Sequence, residues 1–357
     1  MLARSAHGYT RAVFHAISLI DHHFNVRVPA MKAAIVGIAG PELTEAERAL
    51  FATLPPAGVI LFARNIQDPV QLHRLVSDLR SALPTEAVLM LDQEGGRVAR
   101  LAAPHWPALP PAATLGALWS EDFAEARSTA RKRGMALGLM AQAAGIDIIT
   151  APVLDVPVLG SDKVIGDRAI STDPVAVGVL GADIASGILS QGVQPVMKHI
   201  PGHGRATIDS HVSLPRVATK QLDQDLAPFV ANARLPWAMT AHIVYEAWDA
   251  LRPATVSPRV IEEVIRRRIG FQGILVSDDL AMGAMTGDPA SRARDALAAG
   301  CDIALFCSGD LILNRAVLEA AFVLSAARAA ELKFRADDPL ATDFTTAPAP
   351  ALADAMP

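Results

Sequence analysis

The sequence predicts an α/β chain folded as a single (β/α)8 TIM-type barrel, and three observations carry the prediction. Short β-branched runs alternate with longer amphipathic stretches, as repeated βα units around a parallel sheet require. The runs number eight, and together the units occupy roughly 300 residues, the usual extent of such a barrel. A doubly wound sheet is the competing architecture. It carries a glycine fingerprint in its first βα turn, where this chain has GIAGPE.

In chain order the expected strands are AAIVGIA (33–39), GVILFA (58–63), AVLML (87–91) and IDIITAP (146–152), then VQPVMKH (193–199), PWAMTAHI (236–243), GILVSD (273–278) and DIALFC (302–307). Between them, 68–83, 120–144, 173–191 and 257–270 read as helices. Several open with Asp-Pro or Ser-Pro, in which the first side chain caps the turn and proline's fixed φ suits the first helical position. The barrel is expected to span 31–335. MKAAIVGIAG is a natural opening for a first strand, so 1–30 read as an N-terminal extension or a start-site artefact. The Pro/Ala-rich end, 336–357, reads as a flexible tail.

With 357 residues, 51% of them hydrophobic and 19% charged, the chain can bury a large core. A formal net charge of -5 gives no basic excess for phosphate backbones, which argues against nucleic acid and for an uncharged small substrate. Cys301 and Cys307 match no zinc spacing and read as two core thiols in a reducing compartment. The short apolar run VFHAISLI, broken by His15, is a poor signal peptide, and no long apolar run suggests a membrane span. A cytoplasmic, monomeric protein without a membrane partner is the expectation.

Barrel active sites gather at the C-terminal ends of the strands. There the third expected strand ends in Asp92, the fourth is followed by Asp155, and the fifth ends in Lys198 and His199. The sixth ends in His242 and the seventh in Asp278. Any one of these could simply cap a helix. Five strand ends carrying ionisable groups beside apolar interiors point to a site. In DQEGGRVAR, Gly95 and Gly96 allow a turn that would leave Asp92, Arg97 and Arg100 facing the mouth. Such carboxylate and guanidinium pairs suit sugar hydroxyls, which both donate and accept. Arg168 in VIGDRAISTDP is a further candidate, with a loop contact to Asp167 as the plain alternative.

The densest stretch is KHIPGHGRATIDSH, 198–211. His199 and His203 have the spacing of a helical zinc pair, but Pro201, Gly202 and Gly204 make a helix there improbable. A phosphate loop would need its glycines just before a helix, usually with Lys-Ser/Thr, and neither is present. What remains is a loop on which Asp209 can hold His211 in one tautomer, as a general acid and then base near neutral pH. SDDL at 277–280 offers a carboxylate nucleophile for an anomeric carbon. Asp278 and Asp279 are consecutive at a strand end, so only one of them can face the mouth.

Four motifs in order, DQEGGRVARL, IGDRAIS, KHIPGHGRATIDSH and GILVSDDLAMGA, resemble the bacterial β-N-acetylhexosaminidases of glycoside hydrolase family 3, cytoplasmic enzymes of peptidoglycan recycling. The resemblance runs from about Met31 to residue 330. It implies a single barrel, no cofactor and no metal, Asp278 as nucleophile, His211 as acid/base and Asp209 as its helper. Asp92, Arg100, Arg168, Lys198 and His199 are the implied substrate contacts. The implied reaction releases N-acetylglucosamine with retention from N-acetylglucosaminyl-1,6-anhydro-N-acetylmuramic acid and its peptides. Ile200 and Gln93 depart from the residues more usual there, at positions outside the catalytic set. Phosphorolysis at the same site, a metal-dependent hydrolase using His199, His203 and Asp209, and a non-catalytic sugar binder are the competing readings.

Overall fold

Each of the eight apolar runs forms a strand, here β1 (Lys32–Gly37), β2 (Pro56–Leu61), β3 (Val88–Leu91), β4 (Ile148–Ile149), β5 (Gln194–Ile200), β6 (Trp237–Thr240), β7 (Ile274–Val276) and β8 (Ala304–Phe306). They come from a computed structural model that describes residues 30–333. The expected N-terminal extension, Ala30 apart, and the expected tail lie outside the described residues. All pairings within the sheet are parallel, in the order β7-β6-β5-β4-β3-β2-β1-β8. The ring closes between β7 and β8, where Val276 pairs in parallel with Ile303 and the Ser277 N–H donates to Ile303 O at 3.0 Å. Parallel strands covered on both faces are expected to be continuously apolar. All seven residues of β5 are buried, Lys198 and His199 at its C-terminal end included.

The helices form the outer layer: α1 (Glu45–Thr53), α2 (Pro69–Ala82), α3 (Ala113–Glu121), α4 (Phe123–Ala143), α5 (Pro174–Leu189), α6 (Asp223–Ala231), a π-type helix (Val260–Ile269), α7 (Pro289–Ala299) and α8 (Leu311–Ala320). The Asp-Pro starts behave as the sequence indicates. Asp68, Asp173 and Asp288 each accept a backbone N–H of the first turn, and each is followed by proline at the start of its helix.

Two expected helices differ in detail. The stretch 120–144 holds a break at Asp122, which ends α3 and whose carboxylate caps α4 by accepting from the Glu125 N–H at 3.0 Å. The same side chain that could sit inside a helix thus competes with it as a cap. The stretch 257–270 is helical with π-type bonding over Val260–Ile269 and ends at Gly270 in the left-handed region, φ 81°.

The core is continuous between barrel and helices. Trp237 is fully buried with its indole N–H donating to Gln194 Oε1 at 3.1 Å, so its large apolar area enters the core without stranding a polar group. Truncating such a side chain to Ala costs about 3–5 kcal/mol. Gln194 and Trp237 begin their strands, far from the C-terminal ends where the ionisable groups gather.

Candidate active site

Just past β3 the chain runs Asp92, Gln93, Glu94, and alternation in extended backbone sends the first and third side chains one way and the second the other. Gln93 turns away from the mouth. Its Oε1 accepts the N–H groups of Arg100 and Leu101 at 2.8 and 3.0 Å, fastening a small antiparallel ribbon of Gln93–Gly95 with Val98–Ala99. Its two-residue turn is Gly96–Arg97, entered from Gly95, and both glycines are at positive φ (86° and 58°). Arg100 returns from that ribbon to Asp92, Nη2 to Oδ2 at 3.2 Å.

Arg97 does not follow the expectation that it faces the mouth. It is exposed, pairs with Asp167 at 3.1 Å and donates to the carbonyls of Lys163, Val164 and Ile165. At the turn of a two-stranded ribbon its side chain leaves on the outer side, where those carbonyls stand. Asp167 is therefore occupied by Arg97. Arg168 instead meets Glu94 through two parallel bonds, Nε to Oε2 at 2.9 Å and Nη2 to Oε1 at 2.8 Å.

Lys198 completes this cluster from β5. Its Nζ lies 2.6 Å from Glu94 Oε1, 2.7 Å from Thr150 Oγ1 and 3.5 Å from Asp92 Oδ1, and Thr150 donates to Asp92 as well. Burial disfavours the Asp92 and Glu94 anions, but the neighbouring cations outweigh it. Lys198 and Arg100 hold Asp92 well below the usual carboxylate range, and Lys198 and Arg168 lower Glu94. Both are ionised at neutral pH.

Asp155, fully buried after β4, organises the next stretch. One oxygen accepts the backbone N–H groups of His199 at 3.1 Å and His203 at 2.6 Å, and the other lies 2.7 Å from His199 Nδ1. A carboxylate can only accept, so His199 carries its proton on Nδ1 and presents Nε2 to the cavity. The peptide bonds Lys198–His199 and Ile200–Pro201 are cis. Gly204 passes so near Val156 that a Cβ there would lie 1.9 Å from the Val156 carbonyl oxygen, which explains the glycine.

Beyond Gly204 the loop carries Asp209, Ser210 and His211. His211 Nδ1 lies 2.7 Å from Asp209 Oδ1, which also accepts the His211 backbone N–H at 2.8 Å. The loop packs on the segment after β7: Gly283 N–H donates to His211 O at 3.3 Å and Ala284 N–H to Ser210 O at 3.1 Å. This packing brings His211 and Asp278 to one cavity of about 120 Å³, shared with Asp92, Arg100, Arg168, Lys198 and His199. Asp209 stands behind His211, outside the lining.

The two neighbouring aspartates divide as strand geometry demands. Asp278 Oδ1 accepts the Asp279 N–H at 2.8 Å, and its own N–H donates to Thr240 Oγ1 at 3.2 Å. Burial disfavours its charge, yet His242, His199 and Lys198 together lower its pKa. Asp279 accepts the N–H groups of Ala281 and Cys307, both at 2.9 Å, and so ties the end of β7 to the end of β8. Burial, with Asp278 beside it, pushes the Asp279 carboxyl up. His242 is fully buried, and that burial lowers its pKa despite Asp278 beside it. Its Nε2–H donates to Asp279 O at 3.0 Å, and its Nδ1 lies 2.7 Å from Thr255 Oγ1.

Several of these side chains escaped the sequence reading. Glu94 was available from the alternation rule, being two residues past Asp92 on an extended segment. Thr150 and Ser210 gave no signal, since a hydroxyl near a strand end or in a loop is common. For the metal alternative, the three proposed ligands have other partners: His199 has Asp155, His203 Nε2 lies 3.2 Å from Ser210 Oγ, and Asp209 has His211. Among the described residues no three His, Cys, Asp or Glu side chains are grouped to hold a metal ion.

A barrel whose strand ends bring carboxylates, cations and an Asp-held histidine to one cavity belongs with the enzymes that act on glycosides. The glycosyl hydrolase family 3 N terminal domain matches residues 26–332, and the chain belongs to that family. Two relatives named beta-hexosaminidase come from Bordetella avium and Alkalilimnicola ehrlichii. The first is 38% and the second 41% identical over 281 residues, each match covering 77% of this chain and 80% of the relative. NagZ from Neisseria gonorrhoeae, solved with N-trifluoroacetyl-D-glucosamine, superposes with a TM-score of 0.78 at 32% identity, covering 89% of this chain and 94% of that one. A family 3 beta-N-acetylglucosaminidase from Paenibacillus superposes at 0.76 with 30% identity, over 84% of this chain and 59% of that one. The protein is a family 3 glycoside hydrolase of the beta-hexosaminidase type.

Proposed function

We propose that the protein is a retaining exo-β-N-acetylhexosaminidase that removes terminal N-acetylglucosamine from N-acetylglucosaminyl-1,6-anhydro-N-acetylmuramic acid and its peptides during cell-wall recycling. It does so in the cytoplasm, as a monomer and without a cofactor. The observation that carries the reading is that Asp278 and the Asp209-bound His211 line the same cavity. Among the described residues no helix is long and apolar enough to cross a membrane.

In this reading Asp92, Arg100, Arg168, Lys198 and His199 hold the sugar hydroxyls and Asp278 Oδ2 faces the anomeric carbon, because Oδ1 is taken by the Asp279 N–H. Oδ2 bonds to C1 as the C1–O bond to the aglycone breaks, and protonated His211 gives its Nε2 proton to the departing oxygen. Neutral His211 Nε2 then takes a proton from water. The water oxygen bonds to C1, the ester to Asp278 breaks, and the sugar leaves with its β configuration retained.

The test is a fluorinated N-acetylglucosaminide that forms the ester but hydrolyses it slowly. A mass increase on the peptide containing Asp278 is expected. Its absence, together with inverted product by NMR, would defeat the reading. Phosphorolysis is the second reading. It is favoured by an imidazole rather than a carboxylate as the acid/base, since a neutral ring repels an incoming phosphate less. Product analysis on a purified muropeptide with and without phosphate decides between sugar and sugar 1-phosphate.

A further inference from the structure

His203 has no place in the reaction just described, yet it is 3% exposed and lines the same cavity. Two contacts define its position. Its backbone N–H is held by Asp155, the carboxylate that also fixes His199, and its ring meets the His199 ring edge-on with centroids 5.5 Å apart. One side of His203 is thereby anchored to β4 and β5, the rigid wall of the barrel. From its other side Nε2 reaches Ser210 Oγ at 3.2 Å.

Ser210 sits between Asp209 and His211 and, unlike either, is buried, at 2% exposure. The Asp209–His211 contact is internal to the loop and cannot by itself locate the loop against the barrel. The bonds from Gly283 and Ala284 attach the loop to the β7 side. The His203–Ser210 contact attaches it to the β5 side, one residue from the imidazole.

We infer that His203 is a positioning residue: through the Ser210 hydroxyl it sets where His211 stands relative to the anomeric centre and the departing oxygen. The inference rests on His211 being the acid/base. It predicts a loss confined to steps that need the proton in place. A substrate whose leaving group departs without protonation should tolerate a displaced His211, whereas one with a basic leaving group should not.

The experiment compares kcat/KM for 2,4-dinitrophenyl and phenyl N-acetyl-β-glucosaminides in Ser210→Ala, His203→Ala and His211→Ala, with circular dichroism melts to check folding. General acid catalysis is worth roughly 10²–10⁴-fold, so Ser210→Ala should lose roughly 10-fold more on the phenyl than on the dinitrophenyl substrate. His203→Ala should do the same or more. Equal losses on the two substrates, or no loss on either, would overturn the inference. His211→Ala separates the two ideas. If it too lacks leaving-group dependence, the acid/base reading fails. If it shows that dependence and Ser210→Ala does not, only the role of His203 falls.

Discussion

Glu94 Oε1 lies 2.6 Å from Lys198 Nζ, and the same carboxylate grips Arg168 through two parallel bonds. One buried anion therefore stands between two cations that line the cavity. Glu94→Gln takes from Arg168 its paired carboxylate and from Lys198 the nearer of its two, Asp92 remaining at 3.5 Å, and an amide cannot accept from both cations as the carboxylate does. Breaking one partner out of a buried pair costs about 3–5 kcal/mol. A lower melting temperature and a rise in KM larger than the fall in kcat are expected. Unchanged melting and KM would mean that the cations are held by other contacts.

The consecutive aspartates should part company. Asp278→Ala is expected to lower kcat on an aryl N-acetylglucosaminide by on the order of 10⁴-fold or more, as loss of a nucleophile does. Asp279→Asn keeps a carbonyl oxygen to accept from Ala281 and Cys307, so most activity should survive, with a stability cost of about 1 kcal/mol. Near-normal turnover by the Asp278 variant would overturn the assignment.

His203 gives the stability a pH dependence. Burial, then the neighbouring His199, lowers its pKa to about 4 from the usual 6.5. Between those values the unfolded chain binds the proton and the folded chain does not. Stability is therefore complete above about pH 6.5 and falls as the pH drops towards 4, by at most ~1.4 kcal/mol per pH unit. Asp225 and Asp279, raised chiefly by burial, act in the opposite sense. The comparison is thus between wild type and His203→Gln, melted at pH 4.5, 5.5 and 6.5. A smaller slope in the variant is expected, and equal slopes would remove His203 as the source.

Exhaustive chelation should leave turnover unchanged, because His199, His203 and Asp209 are each engaged by another side chain. Activity lost on chelation and restored by a divalent ion would reopen the metal-dependent reading.

Much of the architecture was legible in the chain. A buried parallel strand must be apolar throughout, so AAIVGIA and GILVSD announce themselves, and the ionisable residue that ends such a run is conspicuous by contrast. Asp92, Lys198, His199 and Asp278 were visible for that reason. Arg97 and Glu94 show where such reading stops. One was expected at the mouth and the other passed over; the fold sends Arg97 outward to Asp167 and sets Glu94 against Lys198 and Arg168, the cations that line the cavity. The direction of a side chain on a two-residue turn depends on the pairing register, which Gly95 and Gly96 permit but do not dictate.

From the sequence alone come the eight βα units, the helix starts at Asp68, Asp173 and Asp288, and the Asp209–His211 pair, because all of these depend on residues near one another in the chain. Only the tertiary structure decides that Glu94 meets Arg168, 74 residues on, that Asp155 holds both His199 and His203, and that Ser210 joins the His211 loop to the barrel wall. Such contacts form when the ring of strands closes and brings distant strand ends to one mouth. No local propensity encodes that closure; it follows from burying all eight strands at once.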